Sequence, residues 1–514
     1  MHPRKFIRDS VGFAAAQYVV RATLMLRGLI AARLLGPQLY GAWNAIQIMM
    51  DYGPLAPAGT QQGLDQMVPP RIVAGDAEAL ARVKRAALFN ISLLSGAFAV
   101  ACLLLEQFGH SRMLHDWGVA GIAAAMICAV TTNLAYYQTS IMRSHGDIST
   151  ASGWTVIQGA VGGGLGLVLL PWMHGWGLLL GWTIGCVVAF VFSTVRSRRH
   201  APLSPAPASE GFDLVQVGIP MFAFTASSQV MRNLDRLIIL RYLGAIDLGY
   251  YSLSVMALTF LLYLPDSVTY VIYPNLLKTY GASGGNARSI RPDVDRALQA
   301  TSVLVPFLCG VAFLFAQPVV GLVLPKFLPG VAAMRVLCFG AVALAFSNLA
   351  SVVMMTIRRQ LMLMPTAVFG VGLYGMLDFV AVKMGYGITG VATATLVAYV
   401  INSAVLLSLA FAGTGDRAGR LFATLARLYA PLALAIGLSF ALERWMPWAG
   451  AQPTGLVLLR LALSTAGFAL VYAAGVHPFT RGMGTRQVIS EFNVPVVGPL
   501  MRRLGWVPRK KDDE

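Results

Sequence analysis

The feature that most constrains this chain is a succession of apolar runs, each about the length a helix needs to cross the hydrocarbon core of a bilayer, roughly 20 residues. They fall near residues 11-35, 39-64, 86-108, 117-141, 150-170, 176-195, 214-240, 247-273, 299-323, 330-357, 361-382, 387-412, 425-445 and 455-475. Charged residues make up 12% of the 514, against about 25% in a soluble globular protein. The expected fold is therefore an all-α polytopic membrane protein with about 14 transmembrane helices. The first run is too long for the apolar region of a signal peptide and lacks a small-residue cleavage site, so it reads as a membrane helix. Prolines near 54-57 and at 265 predict kinked or broken spans.

The formal net charge is +17, but the lysines and arginines lie between apolar runs rather than along a soluble face, so no nucleic-acid partner is expected. With the N-terminus cytoplasmic, they gather in the even-numbered connections, among them Arg71, Arg82, Lys84 and Arg85, then Lys278, Arg288, Arg291 and Arg296, and in the tail. The opposite loops hold few, which orients both termini to the cytoplasm and puts anionic membrane lipids within reach of the basic loops. The five cysteines and seven histidines show no metal spacing or nucleophile-base arrangement, so neither a metal, a cofactor nor an enzyme activity is expected.

A Pro/Ser/Ala linker at 196-213 divides the chain into a six-helix lobe at 1-195 and another at 214-412, followed by two extra helices at 413-480 and a basic tail at 481-514. The lobes repeat. Arg33-Leu-Leu-Gly-Pro-Gln-Leu-Tyr-Gly-Ala-Trp returns as Arg241-Tyr-Leu-Gly-Ala-Ile-Asp-Leu-Gly-Tyr-Tyr, pairing Gly36 with Gly244, Gly41 with Gly249 and Trp43 with Tyr251 at an offset of 208, the distance from Arg33 to Arg241. The same offset lays Pro57 on Pro265. Both copies start on the same side, which predicts a pseudo-two-fold axis along the membrane normal. The glycines at 159, 162, 163, 164 and 166 lie inside a span without a Walker lysine and read as close helix packing.

A charge at bilayer depth is unfavourable unless it faces protein or water, and so marks a candidate site. Arg21 and Arg27 stand well inside the first span, and Gln229, Arg232 and Arg236 form a stripe along the seventh with Asp235 beside them. These four arginines are the substrate-binding candidates, because guanidinium groups bind phosphate in bidentate geometry and stay charged. Asp51, Gln229, Asp235, Asp266 and Asp378 are second-tier candidates for polar contacts or for coupling to H+, Na+ or the membrane potential. An intrahelical Arg232-Asp235 pair is the structural alternative. Arg335 and Arg460 do not distinguish a cavity from a helix-helix contact.

The arginine-bearing first helix, the repeated Arg33 and Arg241 turns and the two-lobe plan resemble the polysaccharide-exporter branch of the multidrug/oligosaccharidyl-lipid/polysaccharide flippase superfamily, which includes Wzx-type flippases and, more distantly, MurJ and the MATE transporters. The resemblance implies two lobes around a cationic lumen. It further implies alternating access that carries an undecaprenyl-pyrophosphate-linked oligosaccharide from the cytoplasmic to the outer leaflet of a bacterial inner membrane, beside a polysaccharide polymerase and a chain-length regulator. Arg21 and Arg27 match the lumen arginines of lipid II flippases, and Arg232 and Arg236 follow by symmetry. A MATE-like drug/cation antiporter and a membrane-embedded glycan polymerase are the competing readings. The first calls for unpaired acids and the second for a large loop outside the membrane.

Overall fold

The computed structural model describes residues 3–109, 117–197, 208–414, 418–445 and 454–480, with no strand among them. Most of the linker, at 198–207, and the basic tail, at 481–514, lie outside the described residues. The helices are α1 (Pro3–Tyr52), α2 (Thr60–Ala74), α3 (Ala77–Gly109), α4 (Gly118–Ser144), α5 (Ile148–Ile157), α6 (Gly163–Met173), α7 (Gly175–Ser197) and α8 (Ala208–Tyr242). They continue with α9 (Ala245–Ala282), α10 (Arg291–Val323), α11 (Val331–Cys338), α12 (Gly340–Thr356), α13 (Leu363–Lys383), α14 (Gly387–Gly413), α15 (Ala418–Trp445) and α16 (Thr454–Thr480).

Eleven helical stretches are long and apolar enough to cross a membrane, and a twelfth is the bent pair Ser209–Ala223 and Thr225–Tyr242. The remaining two expected spans fall on α1 and α2. Phe89, Leu105, Trp172, Phe369, Phe422 and Leu470 are exposed, as suits a chain whose solvent is hydrocarbon. The protein is a multi-pass membrane protein.

The second expected span is broken where its prolines stand. α1 ends at Tyr52, a 3₁₀ turn covers Gly53–Leu55, and Ala58 and Gly59 take positive φ of 45° and 92° before α2 begins. Pro265, in contrast, sits inside an uninterrupted α9. Arg82, Lys84 and Arg85 lie on the first turns of α3 rather than in a loop. Lys84 is buried, and Arg82 pairs with Glu78 at 2.8 Å and Glu210 at 3.0 Å. Two acids thus hold Arg82 on the helix.

The described residues form two compact units. One comprises those of Met1–Met256, Val323–Gly330 and Ala367–Ala394, the other those of Ala257–Leu322, Val331–Thr366 and Thr395–Glu514. In the first unit Leu64, Val68, Val83, Ala87, Ile91, Ile141 and Leu214 close a core between α2, α3, α4 and α8. α6 and α7 touch backbone to backbone: a Cβ on Gly181 would lie 2.3 Å from Gly166 N, and one on Gly185 would lie 2.5 Å from Gly162 Cα. The glycine run is thus a packing surface.

The repeated turns also meet in this unit. Gly36 and Gly244 both adopt positive φ, 71° and 101°, which lets each chain copy turn at the same register. A Cβ on Gly41 would fall 1.7 Å from Ala245 O, and one on Gly249 would fall 2.0 Å from Pro37 O. The repeat offset makes Pro37 and Ala245 counterparts, so the two contacts are the same contact made twice. Phe327 stands edge-on to Tyr40 and Tyr250, at 5.9 and 6.2 Å, and Trp117 donates Nε1–H to Ala42 O at 2.8 Å.

In the second unit the extra helices dock on α10. Gly310 leaves room for the ring of Phe468, Ser302 donates to Leu428 O at 2.7 Å, and Tyr472 donates to Val303 O at 2.8 Å. Arg335 pairs with Glu443 of α15 and lies over the Phe313 ring at 4.8 Å, which makes it a helix-helix tie.

Candidate functional site

Arg27, a buried cation of the first unit, stands on the N-terminal limb of α1. Its guanidinium carbon lies 4.8 Å from the ring centroid of Trp182 on α7 and 5.6 Å from that of Trp43 on the second limb of α1. The residue is only 7% exposed, and its Nη1 has no hydrogen-bond partner. The glycine run makes this arrangement possible. A Cβ on Gly162 would press to 3.1 Å from the Trp182 ring, and one on Gly163 would sit 3.8 Å from Arg27 Cδ. Among the described residues no carboxylate forms an ion pair with Arg27. Two indole faces and one unpartnered N–H therefore surround a charge that burial makes unfavourable in isolation.

Arg236 has a different setting. It lies 3.6 Å from Asp51 and donates to Asn233 Oδ1, while Gln229 Nε2 donates to Asp51 O at 3.1 Å. Asp235 is buried, where it accepts from Tyr251 OH and from Arg236 N, each at 2.7 Å. The partners of Asp235 are thus Tyr251 and its chain neighbour rather than Arg232. This network ties α8 to the end of α1. Replacing Arg236 by alanine would leave Asp51 without its ion-pair partner; the expected result is a loss of about 1–3 kcal/mol, read as a lower unfolding temperature of the purified protein. Asp51→Asn in the same chain should restore part of it.

Arg27, Asp51 and Gln229 share the lining of one cavity of about 770 Å³. Its wall along α4 carries Cys128, Thr132, Tyr136, Ser140 and Arg143, a stripe about 22 Å long at 1.5 Å per residue. Facing it are Gln47 and the broken span with Pro54, Leu55 and Gln61. The break is held by Asn133, whose Nδ2 donates to Gly53 O at 3.0 Å and Ser95 Oγ at 2.9 Å. Trp154 and Gln158 enter from α5 and from the π-helical turn Gln158–Gly162 that follows it; such turns are frequent at functional sites. At the end away from Arg27, Arg143 pairs with Asp65 at 3.1 Å, and Ser140 donates to the same carboxylate. Among the described lining residues both acids are therefore ion-paired, and the cation without a carboxylate partner is Arg27.

Of the other sequence candidates, Arg232, Asp266 and Asp378 are not among the described lining residues. Arg232 is exposed. Arg21 lies on α1, and its side chain lies outside the described residues. Asp266 accepts from Asn348 Nδ2 at 3.0 Å in the second unit, and Asp378 is fully buried on α13. Sequence reasoning singled out Gln229, which lines the cavity, but not the aromatic wall of Trp154, Trp182 and Tyr136 or the other glutamines. Gln47 and Gln158, amides within apolar runs, were the readable signal.

Residues 30–331 match the model of a family described as polysaccharide biosynthesis protein. No curated protein matches the sequence. Among solved structures the fold is similar to that of the lipid II flippase MurJ in an inward closed conformation, at TM-score 0.69 and 15% identity over 91% of this chain and 99% of that one. It is also similar to a multidrug resistance MATE family transporter of the MOP superfamily in an inward-facing conformation, at TM-score 0.65 and 15% identity over 80% of this chain and 98% of that one. A MOP superfamily transporter from Pyrococcus furiosus, described as having a binding pocket of reverse polarity, aligns at TM-score 0.57 and 16% identity over 81% and 95% of the two chains. The fold is that of the MOP superfamily.

Proposed function

The chain belongs to the polysaccharide biosynthesis protein family, and from that premise we propose that it is a flippase for a polyprenyl-pyrophosphate-linked oligosaccharide, working in a bacterial inner membrane for surface polysaccharide synthesis. The observation that carries this reading is Arg27, a buried guanidinium that lines the cavity with an unpartnered nitrogen and, among the described residues, no carboxylate partner. Such a group favours a dense anion, and pyrophosphate supplies one. The polyprenyl tail stays in lipid while the headgroup enters the cavity. With both termini cytoplasmic, the Arg143 end of the cavity faces the cytoplasm, where a lipid-linked sugar would enter.

The repeat units at 1–195 and 214–412 act as the two lobes of an alternating-access cycle, a reading supported by a fold found in both inward-facing and outward-facing MATE family transporters. Arg21, Arg232 and Arg236 would contribute positive potential along the path. Asp235, Asp266 and Asp378 are the carboxylates through which H+ or Na+ would couple. A cation antiporter is disfavoured by the cavity itself, since Asp51 and Asp65 are each paired with an arginine.

Reconstitution tests the reading. Vesicles holding the full chain should move a fluorescent polyprenyl-pyrophosphate glycan between leaflets faster than protein-free vesicles, and equal rates would refute it. Deletion in the host should accumulate lipid-linked units on the cytoplasmic face and remove surface polysaccharide. Normal surface polysaccharide, with no second copy of the gene present, would count against it.

A further inference from the structure

We propose that the first-unit cavity also contains a sugar seat, with Trp154 and Tyr136 as its platform and the cavity glutamines as its polar rim. The proposal rests on the flippase reading and adds which part of the headgroup this wall recognises. A pyranose ring offers an apolar C–H face edged by hydroxyls that both donate and accept. The matching wall is a flat aromatic face beside amides and hydroxyls, which likewise do both.

The cavity supplies that combination. Tyr136 and Trp154 stand 5.0 Å apart between centroids and tilted by 54°, forming a corner. Gln47, Gln61, Gln158 and Gln229 line the same cavity from four different elements. Two lining residues besides Arg27 keep a buried polar atom without a partner, Trp154 Nε1 and Thr139 Oγ1. Unpaired buried donors are rare enough to call for a ligand or water. A drug-like apolar guest would leave these atoms unsatisfied; a sugar would not.

The spacing fits one molecule bridging both ends. Arg27 Cδ lies against Gly163, nine residues beyond Trp154, or about 13 Å along the helix at 1.5 Å per residue. A pyrophosphate held at Arg27 therefore directs its attached sugar toward the Trp154 corner. A volume of about 770 Å³ lies in the range of pockets for drug-sized ligands, about 300–1,000 Å³. That is room for a few sugar rings and not for a polymer, so the seat selects a repeat unit before polymerisation.

Native mass spectrometry of the detergent-purified full chain separates the two claims. The probes are sugar-free polyprenyl pyrophosphate and the polyprenyl-pyrophosphate-linked saccharides extracted from host membranes. The wild type should bind the glycosylated lipid at least about tenfold more tightly than the sugar-free one. Trp154→Ala should erase that preference while sugar-free binding stays within about twofold, and Trp154→Phe should keep most of it. Tyr136→Ala, which alters a partly exposed side chain, should reproduce the loss if Trp154→Ala fails to fold. Arg27→Ala should weaken both probes alike. A Trp154→Ala or Tyr136→Ala chain that still prefers the glycosylated lipid overturns the sugar seat and leaves the flippase reading standing. A wild type that binds neither probe overturns both.

Discussion

Leucine at Gly41 should leave almost no folded protein in the membrane, and alanine there should lower the unfolding temperature by several degrees. The Cβ that either residue adds would lie 1.7 Å from the backbone oxygen of Ala245, a group that no rotamer change can move. Overpacking of this kind opposes folding by about 1–3 kcal/mol when the structure can adjust, and a backbone-to-backbone seam adjusts less than a side chain. Gly249→Ala should have a similar effect, because its Cβ would meet Pro37 O at 2.0 Å. The double substitution should fall short of the sum, since the first change already separates the surfaces that the second would press apart. Gly96 is the control. It has open space around its Cβ position, and alanine in a helix interior is favoured over glycine by about 1 kcal/mol. Size-exclusion thermal denaturation of fluorescently tagged chains would measure all five, and equal losses at Gly41 and Gly96 would refute the seam.

The second large effect is on transport. Arg27→Ala should slow movement of the fluorescent polyprenyl-pyrophosphate glycan about 10- to 100-fold, the loss of one charged hydrogen bond worth about 1.5–3 kcal/mol. Its abundance in the membrane should stay close to wild type, because no carboxylate among the described residues depends on this charge. Arg27→Lys should recover only part of the rate. Lysine keeps the charge but neither binds phosphate bidentately nor stacks a flat face between Trp43 and Trp182. Arg27→Glu should abolish movement by repelling the pyrophosphate. A full rate in Arg27→Ala vesicles would remove the residue from the mechanism.

Much of the fold was legible because hydrocarbon is a demanding solvent. Backbone polar groups must be satisfied within each span, so length and hydropathy alone locate helices. The break at 53–59 was legible from its prolines, whereas at Pro265 the span is not broken, since α9 carries it inside one continuous helix. The equivalence of Gly36 and Gly244 followed from the 208-residue offset, and both residues take positive φ. Arg27 stood out as a charge inside an apolar run. What the sequence could not reveal was partnership: Asp51 and Arg236 are 185 positions apart, and nothing local says that one neutralises the other. The tryptophans were hidden for a related reason. Periodicity says that a face is apolar, but lipid and an aromatic cavity wall look alike until the neighbouring helices are known.

The seam at Gly41 and Gly249 has a consequence for how such a chain could arise. A surface that meets its own counterpart through the same residues is isologous, the form of contact that defines a symmetric homodimer. The turn after the first helix therefore already holds a self-complementary patch. A chain bearing a single copy of that turn would have been able to pair with an identical one before two copies were joined into one gene. Joining two such copies would leave each free to diverge, one keeping an aromatic, arginine-centred cavity while the other took on a different set of buried charges.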